Sequence, residues 1–83
     1  MARYYFHIID GHIQLDAEGV EFDDLQAVRE SAVRFAGAII AEKCDAALWN
    51  GRPWTLCVTD TPDLNGPTLF TLSLSVTEGG SRP

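Results

Sequence analysis

The sequence predicts an α+β fold: a two-layer sandwich, ββαββ in order, with one helix packed on one face of a mainly antiparallel four-stranded sheet. Two observations point to it. From Asp24 to about Leu48 apolar residues recur at helical spacing, and on either side of that run lie two short segments that read as strands. A one-striped helix needs an apolar surface to cover, and half-buried strands need a roof, so each requirement meets the other.

The first strand, Arg3 to Ile9, is rich in aromatic and β-branched residues, and Asp10-Gly11 follows as a tight hairpin turn. A two-residue loop would pair Ile9 with His12, Ile8 with Ile13, His7 with Gln14 and Phe6 with Leu15. Apolar pairs then share one face. Asp16 to Gly19 is a turn, and Val20 to Phe22 leads up to the helix, where either apolar residue can staple its start.

In the helix, Leu25, Val28, Ala32, Phe35, Ala36, Ile39 and Ala46 fall on one arc, while Gln26, Glu30, Ser31, Arg34, Glu42 and Asp45 fall on the other. Asp23 or Asp24 supplies the cap, and Gln26 completes a capping box if the cap is Asp23. Asn50-Gly51 and Pro53 place the helix end between Ala47 and Asn50. Trp54 to Thr59 and about Thr68 to Thr77 alternate as half-buried antiparallel strands, joined by a long loop through Pro62, Asn65-Gly66 and Pro67. Spatial order second-first-third-fourth keeps every neighbour antiparallel and is preferred to second-first-fourth-third, which would set the first and fourth strands parallel. Residues 1–77 form one domain, and residues 78–83 have nothing to bury and read as a flexible tail.

Composition narrows the function. Twelve carboxylates against six Lys plus Arg give a formal charge of −6, which opposes nucleic-acid backbones and anionic membranes alike. The amino terminus lacks a signal-peptide pattern, and no apolar run reaches the ~20 residues of a membrane span, so a cytoplasmic location is expected.

The predicted layout leaves one sheet face without a helix. Tyr5, His7, His12, Gln14, Thr55, Cys57, Thr71 and Ser73 are expected there, forming either an ordinary solvated face or an interaction surface. Sheet edges offer a second contact route, by strand addition.

Motif chemistry is sparse. His7, His12 and Cys57 share the expected outer face and are suitable zinc ligands, yet they lack a fourth partner and any finger-like spacing. Solvent-facing histidines are the simpler account, and no metal or other cofactor is expected. Six acids between Asp10 and Asp24 could attract a divalent cation, but turn formation and helix capping explain most of them. Cys44 and Cys57 are expected on opposite sides of the domain, too far apart for a disulfide. Trp49 and Trp54 are expected to close one end of the core. With no nucleophile elbow, phosphate loop, dinucleotide fingerprint or metalloprotease helix, no enzyme activity is expected.

Arg3-Tyr4-Tyr5-Phe6-His7-Ile8, Asp10-Gly11, Asp16-x-Glu18-Gly19-x-Glu21 and Asp24-Leu25-x-Ala27-x-Arg29, followed by Val58-x-Asp60 and Leu69-Phe70-Thr71-Leu72, resemble a family of short uncharacterised alphaproteobacterial proteins. The resemblance covers most of residues 3 to 76, except the loop Thr61 to Pro67, and the family is a domain of unknown function. It implies no activity. A hairpin before an acidic-Leu helix start also resembles HicB-type antitoxins, which bind a small toxin; their DNA-binding segment has no room here.

The expectation is therefore a non-enzymatic binding or regulatory module acting through protein contacts, as a homodimer or with a small protein partner. Two alternatives stand beside it: a metal-dependent or catalytic domain using His7, His12 and Cys57, and an antitoxin-like partner of a small toxin.

Overall fold

A computed structural model describes residues 2–43, 46–49, 51–77 and 79. The elements run β1 (Ala2–Ile9), β2 (Ile13–Gln14), β3 (Val20–Phe22), α1 (Leu25–Lys43), α2 (Ala46–Trp49), β4 (Trp54–Thr59) and β5 (Thr68–Leu74). The sheet is antiparallel, ordered β2-β1-β4-β5, with α1 across one face. This is the expected α+β architecture and strand order. Val20–Phe22 is more than a lead into the helix. It forms a fifth short strand that pairs Ala2, Arg3 and Tyr4 with Phe22, Glu21 and Val20.

Asp24 is the helix cap: its Oδ1 accepts the Ala27 amide at 2.8 Å, three residues on, as a capping carboxylate should. Gln26 therefore completes no capping box and instead donates to Glu30 at 3.1 Å. Val28, Ala32 and Ala36 form the line by which α1 meets the sheet, and all three are buried. The two alanines let the helix approach closely. The buried stripe is narrower than the apolar arc, since Leu25 and Phe35 remain 39% and 36% exposed along its flanks. The second helical segment ends at Trp49, and the Gly51 amide donates back to the Leu48 carbonyl at 3.2 Å. Cys44, Asp45, Asn50 and nearly all of the 78–83 tail lie outside the described residues, so the expectations placed on them do too.

The hairpin departs from its expected register by one residue. Ile9 pairs with Ile13 and Ile8 with Gln14, because the turn takes three residues, with Gly11 at φ 100° and the Asp10 amide donating to the His12 carbonyl at 3.0 Å. A one-residue slip exchanges the faces of the returning strand. Gln14 accordingly joins Phe6 and Ile8 on the helix side rather than the outer face.

The core gathers Leu48, Trp54, Leu56 and Val58 beneath α1, with Tyr4, Phe6, Ile8, Phe22, Phe70 and Leu72 packed around them. Phe6 stacks on Phe22 at 6.0 Å and meets Phe35 edge-on at 5.6 Å, favourable geometries for aromatic pairs. Trp54 is buried while Trp49 is 54% exposed, so one tryptophan closes the core and the other does not.

Candidate interaction surface

The sheet face opposite α1 carries Tyr5 and His7 of β1 beside Thr59 and Cys57 of β4, with Thr71 of β5 opposite Cys57. Thr55 and Ser73 pair further along, their hydroxyls 3.2 Å apart. This assignment of residues to faces matches the alternation of the sequence. The expectation of an open, solvated face does not hold at its centre: His7 and Thr59 have no exposed surface, and Cys57 is 6% exposed.

Hydrogen bonding explains this burial. The Thr59 hydroxyl donates to the Thr61 carbonyl at 2.6 Å, so at 2.9 Å it accepts from Nε2 of His7. On the other side of the ring, Nδ1 accepts the Asp16 amide at 3.0 Å. The two partners assign the Nε2–H tautomer of a neutral imidazole. A buried polar ring is tolerable only when satisfied, and His7 is satisfied by the loops on either side. Tyr5 lies over it with ring planes 3° from parallel and centroids 6.3 Å apart.

Asp16 holds this arrangement from the sheet edge. Its Oδ2 accepts the Phe6 amide at 3.2 Å, and its Oδ1 accepts the amides of Glu18 and Gly19, each at 3.1 Å. Burial pushes the carboxyl upward, but the hydrogen bonds from Gly19, Phe6 and Glu18 outweigh it, and Asp16 sits below its ordinary 3.8. Gly19 is needed for the same wrap. With φ 69°, its backbone passes so close that a Cβ would stand 2.8 Å from the Tyr5 ring and 2.9 Å from the Tyr4 carbonyl.

These contacts decide what the titratable residues can do. Cys57 and His7 are cross-strand neighbours, but His12 stands exposed in the turn. Both nitrogens of His7 are engaged, so the ring could ligate a metal only by surrendering a hydrogen bond. Among the described residues no three His, Cys, Asp or Glu side chains are grouped to hold a metal ion. Three of the six acids between Asp10 and Asp24 have structural partners: Asp16 in the edge turn, Asp24 at the cap, and Glu21 in a 3.6 Å pair with Arg3 whose half-exposed partners contribute little.

The two sheet edges differ. On one, β2 and β3 divide β1 between them, and the gap at Phe6 is filled by the Asp16 carboxylate, so no long run of free backbone remains. At the other edge, β5 pairs only with β4 among the described residues, leaving its outer backbone groups free. Residues 68–77, Thr-Leu-Phe-Thr-Leu-Ser-Leu-Ser-Val-Thr, contain no charge and no proline. Leu69 and Leu74 are exposed at 41% and 38%, and beside the strand runs a groove of about 200 Å³ lined by Val33, Ala36, Ile40, Trp54, Leu72 and Leu74. Alternation alone treats both sheet edges as equal contact routes. The absence of charge from residues 68–77 is the signal that singles this edge out, while Asp16, Thr59 and Thr61 leave no comparable mark in the sequence.

Fold and surface together define a small α+β domain whose antiparallel sheet, among the described residues, is closed at one edge and open at the other. The chain belongs to the family described as domain of unknown function (DUF6894), whose model matches residues 3–75. No curated protein and no solved structure matches it. No helix among the described residues is long and apolar enough to cross a membrane.

Proposed function

We propose that this chain is a non-enzymatic binding or regulatory module that acts through protein contacts, and that the contact is made by the outer edge of β5, between two copies of the chain. The supporting observation is the contrast between the edges. Natural sheets protect an exposed edge with charges, proline or short strands, and β5 has seven residues and none of those charges. Pairing β5 with its own copy repels no like charges, which matters in a protein of formal charge −6. A two-fold axis through β5 would also bring the groove beside Val33 and Leu74 against its equivalent, covering apolar surface that one copy leaves bare.

The same proposal includes a cytoplasmic setting and the narrower kinship with short alphaproteobacterial proteins sharing the Arg3-to-Gly11 motif. It disfavours the metal-dependent or catalytic reading through His7, His12 and Cys57, since the His7 ring is buried and engaged at both nitrogens. An antitoxin-like role would use the same edge to hold a different strand. Sedimentation velocity over a wide concentration range separates these outcomes. The proposal expects a reversible dimer that Thr71→Lys converts to a folded monomer whose melting temperature no longer depends on concentration. A wild-type monomer at every concentration would contradict it.

A further inference from the structure

At the opposite edge, where the chain leaves β2 and returns as β3, a cleft of about 330 Å³ opens between the sheet and α1. Its floor is Phe6 and Phe22, Phe35 and Ser31 form the helical wall, and Leu15 and Val20 form the rim. Leu15 and Val20 are 53% and 54% exposed and Phe35 36%, so the mouth is apolar surface that no described residue of this chain covers. The volume lies at the lower end of the range for small-molecule sites, and an apolar lining with a few polar groups is their usual composition.

The polar groups select the ligand. Asp16, Gln14 and Ser31 lie in the lining, Asp16 bears the lining's only charge, and no Lys, Arg or His is present to meet an anion. Three phenylalanine rings add faces that attract a cation once water is displaced. We propose that this cleft binds a small molecule with an aromatic-sized apolar body and a protonated amine, the body among the phenylalanines and the amine towards Asp16. The inference is independent of the β5 contact, which lies at the other edge of the sheet.

Amide NMR of the full chain, titrated with 2-phenylethylamine, 2-phenylethanol and 3-phenylpropionate, tests it with three probes that differ chiefly in the polar end. The expected result is saturable shifts confined to residues 6–8, 14–22 and 31–35, with the amine bound about tenfold more tightly than the carboxylate. Ser31→Lys adds a cation to the wall and should reverse that order. Val20→Lys at the exposed rim makes the same change from another element, should Ser31→Lys disturb the fold. Absence of saturable shifts with all three probes, or a carboxylate bound as tightly as the amine, would overturn the proposal. So would the same amides shifting when the protein is concentrated without any probe, since that would give the cleft to a second copy.

Discussion

Nδ1 of His7 accepts the Asp16 amide at 3.0 Å, while the Asp16 carboxylate accepts the amide of Phe6, the residue before His7, at 3.2 Å. The two bonds clamp residue 16 to the edge of β1 where neither β2 nor β3 pairs with it. His7→Ala should therefore cost more than the packing of a side chain. It empties a buried site and leaves the Asp16 amide and the Thr59 hydroxyl short of a partner, a combined loss of about 2–4 kcal/mol. Urea unfolding measures it, and a loss well under ~1 kcal/mol would show that the clamp does not hold the fold.

Asp16 gives the clamp a pH dependence with a definite sign. Its carboxyl is lowered in the folded chain relative to the ordinary 3.8, so between the two values the unfolded state binds more protons and stability rises with pH. The contribution is complete above about the ordinary carboxylate value and disappears as pH falls through the lower, folded value. Asp16→Asn should reduce stability at neutral pH by roughly 1–2 kcal/mol and flatten the acid limb of the profile. Denaturation midpoints of both proteins from about pH 7 down to about pH 2 compare the slopes; identical slopes below about pH 4 would show that Asp16 does not set the acid limb.

Two glycines should respond in opposite directions. Gly37 lies exposed within α1 with open space where a Cβ would stand, so Gly37→Ala should stabilise by about 0.5–1 kcal/mol. Gly19→Ala would force a Cβ to 2.8 Å from the Tyr5 ring in a left-handed backbone conformation, and should destabilise by about 1–3 kcal/mol. Thermal melts of the two variants check both signs.

The parts of this fold that depend on local periodicity are legible in the sequence. The 2-period of β4 and β5, the helical spacing from Val28 to Ala36 and the acid at Asp24 each report their own neighbourhood, and together they specify the layers, while the strand order rests on a preference for antiparallel neighbours that local pattern does not fix. The features that local pattern does not reveal depend on distant contacts. Asp10-Gly11 suits a two-residue turn, but the chain takes His12 into the loop as well, and this reverses the side of Gln14. His7 reads as an outer-face residue and is one, yet its burial comes from Asp16, nine residues on, and Thr59, fifty-two residues on. No alternation pattern carries that information. Phe35 falls within the apolar arc, but the gap left between β2 and β3 keeps it at the mouth of the cleft rather than in the core.

Hydrogen–deuterium exchange along β5 tests the central claim most directly, because it reads the edge itself. If two copies pair there, the alternate amides of residues 68–74 that point away from β4 are protected in concentrated solution and exchange freely on dilution, and Thr71→Lys abolishes their protection. Fast exchange of those amides at every concentration, in a chain otherwise folded, would contradict the account.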